Sequence, residues 1–165
     1  MGLEFYLEKH LCKVAHINLR EEKHGEESVL AVDLKFTADV PNDFLSYLAP
    51  TLKWSLYEKE PGQGELLPDD AYLPHLRHPQ LGVMGWSGDM TKAEVILHGA
   101  TERYDMELEA NVGKLKFEPM EGGTVAITFS ATLKPNVGQS AALVVYLGKD
   151  VQVSVRPHQD LPAAE

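Results

Sequence analysis

Long stretches of this chain alternate apolar and polar residues with a period of two. The clearest runs from Thr124 to Leu133, where Val125 and every second residue after it are apolar, with threonine, serine or alanine between them. Successive side chains of a β-strand point to opposite faces, so this rhythm predicts a strand with one buried and one wet face. We interpret the small, hydroxyl-rich face as the solvent side of a scaffold strand, or alternatively as a face that docks in an oligomer.

The same alternation predicts a long hairpin near the N-terminus, spanning Lys13–Val40. Its first strand would place Ala15, Ile17 and Leu19 in the core, and the polar segment 21–27 would be its loop. Further strands are predicted at Ala93–Leu97, Met106–Val112 with a continuation through Phe117, Ala142–Leu147 and Val151–Val155. The last of these would place its three valines on one face and Gln152 and Ser154 on the other. Gly122 and Gly123 are expected to form a hairpin turn, because glycine adopts a positive φ without a steric cost, and the last two strands would turn at Gly148–Asp150.

One segment departs from the period of two. Leucines recur at three- and four-residue spacing between residues 42 and 58, with Pro50 among them, which predicts two short helices or one broken helix. Asn42 or Asp43 is expected to cap the first turn. The leucines of this stripe are Leu45, Leu48, Leu52 and Leu56.

Hairpins in succession must cover their apolar faces, so the expected fold is mainly β: an antiparallel β-sandwich or a partly open barrel with one helical insertion near 42–58. Residues 1–156 would form a single domain and 157–165 a flexible tail. The segment 60–80, rich in proline, glycine and acids, is expected to be a long loop or an ordered irregular segment, and loops of this length are often functional.

The chain of 165 residues has 15 Lys and Arg against 25 Asp and Glu, a formal net charge of −10. That sign argues against binding to nucleic acid or a membrane surface and suits a basic protein partner. Cys12 is the single cysteine, which fits a reducing compartment. The N-terminus has no long apolar run, so a cytoplasmic location is predicted.

Candidate chemistry is sparse. His10, Cys12 and His16 share one parity of a strand, but no further ligands complete a zinc shell. His75 and His78 flank a leucine and an arginine, and Ser87 lacks the glycine pattern of a nucleophile elbow. We therefore expect a protein that is not an enzyme and carries no metal or cofactor.

Contact residues are sought among large side chains outside the strand pattern, because Trp and Met are favoured at interface hot spots. The strand aromatics Phe36, Phe117 and Phe129 lie on apolar faces and are expected in the core, which argues against base stacking by a barrel face. The predicted partner-binding residues are Trp54, Met84, Trp86, Met90 and the acidic pair Asp69 and Asp70. Core packing is the alternative for both tryptophans, and if either is exposed, the loop Leu81–Met90 is the first choice for a contact site.

Part of the chain resembles uncharacterised proteins encoded by tailed bacteriophages. The similar elements are an entry of Leu76, Arg77, Pro79 and Leu81, then Trp86, then His98–Gly99, and the hairpin with the letters KFEP and GGTV. The resemblance implies expression inside a bacterium and carries over no functional residue.

The resulting hypothesis is a non-enzymatic, acidic β-rich protein that binds a basic host or phage protein, such as one that handles nucleic acid or serves in defence. The alternatives are a phage DNA-metabolism accessory that binds single strands, and a structural or oligomeric virion-associated protein.

Overall fold

The structure is a computed structural model that describes residues 2–60 and 72–159. Its strands are β1 (Leu7–His24), β2 (Glu27–Pro41), β3 (Tyr57–Glu58), β4 (His75–Leu76), β5 (Met84–Leu97), β6 (Met106–Pro119), β7 (Thr124–Leu133) and β8 (Asp150–Arg156). Its helices are α1 (Leu45–Leu48), α2 (Leu52–Leu56) and α3 (Val137–Val144), and single 3-10 turns cover Asn42–Phe44 and Glu102–Tyr104. None of the helices among these residues is long and apolar enough to cross a membrane.

Six strands close into an antiparallel barrel in the order β1-β2-β7-β6-β5-β8, and β3 and β4 form a separate two-stranded sheet. The predicted mainly antiparallel β fold is confirmed. Of the two architectures expected, the barrel is observed, and it is closed because β8 pairs with both β1 and β5. We call the end where β2 finishes the lower end and the end where β7 finishes the upper end.

The barrel interior is filled by apolar side chains. Phe36 and Phe129 stack with ring centroids 5.2 Å apart, and Phe5 meets Phe129 edge to face at 5.4 Å. The predicted inward positions of β7 and β8 are buried, from Val125 to Leu133 and from Val151 to Val155. A barrel of so few strands has room for a packed core only, so its interior is a stabilising element and not a ligand chamber.

Three strands each contain a lysine with positive φ. At that lysine the strand switches from burying one set of alternate residues to burying the other set. Lys9, Lys92 and Lys114 have φ of 45°, 54° and 53°, and each lies within a register shift. One extra residue in a strand is a β-bulge, which bends the strand and exchanges its two faces. In β6, for example, the buried side chains change from Leu108, Ala110 and Val112 to Leu115 and Phe117.

The first hairpin differs from its prediction in two ways. Its loop is only the turn Gly25–Glu26, because both strands continue through most of the polar segment 21–27 as a ribbon beyond the barrel. Ala15 is exposed and is the extra residue of a bulge, Ile17 is partly buried, and Leu19 is exposed opposite Val32, beyond the part of β1 that pairs with β8. The expected core positions Ala15 and Leu19 were therefore wrong, and Cys12 and Val14 occupy the core instead.

The broken helical insertion is confirmed as α1 and α2, with Pro50 between them. Leu45 and Leu56 are buried and the other two leucines of the stripe are partly buried. The predicted cap is wrong, since the first turn has no side-chain cap. Asn42 instead donates its Nδ2 hydrogen to the Leu73 carbonyl at 2.8 Å, which ties the insertion to the segment before β4.

The strand predicted at Ala142–Leu147 is wrong, and so is the expectation of a single helical insertion. Residues Val137–Val144 form α3, which starts with a reciprocal capping box between Asn136 and Gln139. Each of these side chains accepts a hydrogen bond from the other's backbone amide, at 2.8 and 3.0 Å. The capping box satisfies two backbone donors, and this local gain outweighs the β-propensity of the valines that follow.

Candidate functional site

The outer surface of β5 and β6 carries like charges directly opposite each other. Glu94 and Glu109 are cross-strand partners, and Glu107 is the next outward residue of β6. Two cations lie near them: Arg156 is 3.9 Å from Glu94 and also bound to Glu8 at 2.9 Å, and Lys92 lines hollows with Glu94 and with Glu109. Like charges placed opposite each other destabilise a sheet, so this patch contributes to the surface charge at the expense of stability.

A second feature is a split between β1 and β2 at the lower end. The ladder joining them runs from His24↔Glu27 to Lys13↔Thr37 and stops there, although β1 extends back to Leu7 and β2 continues to Pro41. The bulge at Lys9 turns β1 toward β8, with which it pairs from Leu7 to Lys13. We call the split between Leu7–Lys13 and Thr37–Pro41 the seam groove.

A histidine ring takes the place of the missing main-chain pairing in the seam groove. The Nε2 atom of His10 lies 2.6 Å from the carbonyl oxygen of Asp39. Strand edges that face each other without a ladder present unpaired N–H and C=O groups. A hollow along the split is lined by residues that include Cys12, Ala38 and Ile127.

The lower end of the seam groove is closed by two tyrosines. The rings of Tyr6 and Tyr47 have centroids 5.8 Å apart, and 43% and 50% of these residues is exposed. Phe44 supports Tyr47 from beneath, also at 5.8 Å. Two hollows lie along the seam groove, one beside Leu11 and one beside the two tyrosines. Together they are lined by one lysine, Lys13, and by four carboxylates, Glu8, Asp39, Asp43 and Asp150.

The predicted contact residues do not form one surface. Met90 is buried in the core, and Met84 and Trp86 are partly buried and pack against it, with Trp86 6.4 Å from the Phe117 ring. The segment Leu81–Met90, expected to be a loop, belongs to β5 from Met84 onward. Trp54 is about half exposed on α2. Asp69 and Asp70 lie outside the described residues.

The histidine candidates are also separated. Cys12 is buried, His16 is exposed and His10 is occupied with Asp39, so the three do not share a face. His75 lies 3.0 Å from Glu121, whereas His78 and Ser87 are exposed. Among residues 2–60 and 72–159, no three His, Cys, Asp or Glu side chains are placed to hold a metal ion.

A serine, a histidine and an aspartate form a relay that the sequence did not reveal. Ser154 Oγ lies 2.7 Å from His98 Nε2, and His98 Nδ1 lies 3.1 Å from Asp105. The backbone amide of Gly99, and then the His98 ring, lower the pKa of Asp105. In the neutral imidazole that donates its Nδ1 hydrogen to this carboxylate, Nε2 accepts the Ser154 hydroxyl hydrogen.

This relay has the connectivity of a catalytic triad but not its accessibility. Ser154 is fully buried, and its oxygen also accepts the amide hydrogen of Lys9 at 3.0 Å. A substrate would reach that hydroxyl only if β8 separated from β1. The relay therefore holds β1, β8 and the β5–β6 connection together and satisfies a buried hydroxyl. The sequence placed Ser154 on the wet face of β8 with Gln152, and only Gln152 is exposed.

The seam groove was missed because its residues are far apart in sequence and belong to strands expected to pair throughout. The usable signal in the sequence was the change of apolar parity from Leu3, Phe5 and Leu7 to Cys12 and Val14, which marks a bulge. Comparison of the chain with protein-family models, curated proteins and solved structures finds no match.

Proposed function

We propose that this chain is a non-enzymatic binding protein that contacts a basic protein through its acidic exterior. The observation that carries the proposal is the placement of Glu94 opposite Glu109 on the outside of a closed and filled barrel. Such a pair lowers stability, and it strengthens the field that attracts a cationic surface. Complementary charge raises association rates and selects partners by sign.

The buried phenylalanines support this choice over single-stranded nucleic-acid binding. Phe36, Phe117 and Phe129 are all in the core and present no face on which bases could stack. Phosphate would also be repelled by the surface charge. We extend the proposal, on the phage resemblance, to a phage-encoded protein that acts in the bacterial cytoplasm on a basic host protein.

The test is capture of proteins from bacterial lysate on the immobilised chain at about 50 mM salt, where electrostatic affinity is strongest. Basic proteins should be enriched and should elute as salt is raised. The variant E94Q/E107Q/E109Q should capture less of them. The variant E21Q/E26Q/E27Q changes the same charge on the β1–β2 ribbon and serves as the matched control. Equal capture by an unrelated protein of similar net charge, or enrichment of nucleic acid alone, would contradict the proposal.

A further inference from the structure

We propose that the seam groove binds an extended segment of the basic partner, with cationic and apolar side chains alternating along it. The inference rests on the proposed function and names the place where that function is performed. The β5–β6 carboxylates would attract the partner, and the groove would hold it.

Main-chain chemistry supports an extended occupant. Between Leu7–Lys13 and Thr37–Pro41 the two strands run side by side with no ladder, and the His10 ring occupies the Asp39 carbonyl. An added strand gains affinity from main-chain hydrogen bonds and specificity from alternate side chains. An extended segment could donate an amide hydrogen to Asp39 in place of the imidazole.

Side-chain chemistry supports an occupant with apolar and cationic residues. Leu11 is 60% exposed at the groove, beside the partly buried Ala38. Apolar residues of the segment would cover this surface. Tyr6 and Tyr47 offer aromatic faces at the lower end, and such faces attract guanidinium and ammonium groups.

The charge of the rim has the sign that this occupant requires. Glu8 is held by Arg156 and Asp43 by Lys53 at 2.6 Å, so these two carboxylates are partly neutralised. Asp39 and Asp150 are exposed at the same rim. Glu4 is exposed, as Tyr6 is, on the segment before β1. Carboxylates therefore outnumber cations where the segment would lie.

The experiment uses the full chain and a peptide of alternating arginine and valine, with one of alternating glutamate and valine as the negative probe. Leu11→Lys places a cation in the groove and should weaken binding of the arginine peptide at least about tenfold. Leu19→Lys is the matched control, because it adds the same charge at a leucine of the same strand that is 53% exposed and lies outside the seam groove, opposite Val32. It should change the affinity less than about twofold.

Backbone amide shifts in NMR spectra should change on peptide binding at Leu7–Lys13 and at residues 37–40, and not around Glu94. If both lysine variants weakened peptide binding equally, or if the amide shifts were confined to β5 and β6, the groove would not be the binding site. The proposed binding through the acidic exterior would remain. A wild-type chain that captures basic proteins but does not bind the peptide would also contradict the groove as the binding site. A chain that binds neither would overturn both.

Discussion

The hydroxyl of Tyr57 donates a hydrogen bond to the carbonyl oxygen of Met120 at 2.8 Å, joining the helical insertion to the β6–β7 turn. Tyr57 is fully buried at the end of α2, and burial raises its pKa to about 12. Gly122 reinforces the same junction by donating its amide hydrogen to Pro74 at 2.9 Å. The insertion is therefore held to the lower end of the barrel by polar contacts as well as by its leucines.

Tyr57→Phe should lower the free energy of unfolding by about 0.5–1.5 kcal/mol, because it removes the hydrogen bond to the partly buried Met120 carbonyl. Urea denaturation monitored by circular dichroism would measure it. Tyr104→Phe, at an exposed tyrosine, should leave the midpoint unchanged. A midpoint for Tyr57→Phe equal to that of the wild type would show that the hydroxyl bond contributes nothing.

Lys114→Gly should stabilise the protein by about 0.5–1 kcal/mol, because a non-glycine residue at φ 53° is strained and glycine is not. Lys116→Gly, two residues along the same strand and exposed in regular pairing, should destabilise by a similar amount. Thermal melts of the two variants would give shifts of opposite sign. Destabilisation by both would refute a strained bulge at Lys114.

Glu109→Gln should raise the free energy of unfolding by about 0.2–1 kcal/mol, because it removes one of two opposed carboxylates. The gain should shrink at high salt, where screening weakens repulsion between exposed charges. Urea midpoints at low and high salt would measure both effects, with Glu26→Gln at the ribbon turn as the control. A loss of stability at low salt would show that Glu94 and Glu109 do not repel each other in the folded state.

The Cys12 thiol should resist alkylation in the native state. Burial raises its pKa to about 12, so its reactive thiolate is scarce near pH 8, and the sulfur is also shielded from solvent. Labelling with iodoacetamide should be at least about a thousandfold slower than in urea. The variant Cys12→Ala/Ala15→Cys moves the thiol to the exposed bulge and should label rapidly when folded. Rapid native labelling of Cys12 would show that the seam groove opens to its floor.

Asp33 should contribute to stability in a pH-dependent way. Its hydrogen bond from Arg20, at 2.7 Å, is the largest cause that lowers its pKa to about 2. A carboxyl with a depressed folded-state pKa stabilises fully above its unfolded pKa, and this contribution is lost as pH falls toward 2. The stability difference between wild type and Asp33→Asn should therefore be constant from pH 5 to 7 and decline below pH 4. Arg20→Gln should reduce that pH dependence, and an unchanged profile would contradict the assignment.

Much of the fold was predictable because burial on one face imposes a rhythm on the sequence. The strand β7 follows that rhythm without interruption and was predicted residue by residue. The helical insertion was predictable because leucine spacing and Pro50 are local signals. The run after Asn136 was misassigned, because valines and a tyrosine suit a strand until the capping box is recognised.

The candidate site was less predictable than the fold. Trp86 and Met90 were selected for their chemistry, yet chemistry alone does not show which of two strand faces a side chain occupies, and the bulges of β5 decide this. Tyr6 and Tyr47 are 41 positions apart in sequence, and their contact depends on where β1 turns away from β2.

By itself, the sequence determined the secondary-structure class, the composition of the core and the sign of the surface charge, because these follow from local periodicity and residue counts. Only the tertiary structure decided that the sheet closes, that β1 and β2 part below Lys13, and that Glu94 lies opposite Glu109. Those features depend on strand order, register and bulge direction, which are set by packing between residues distant in the chain.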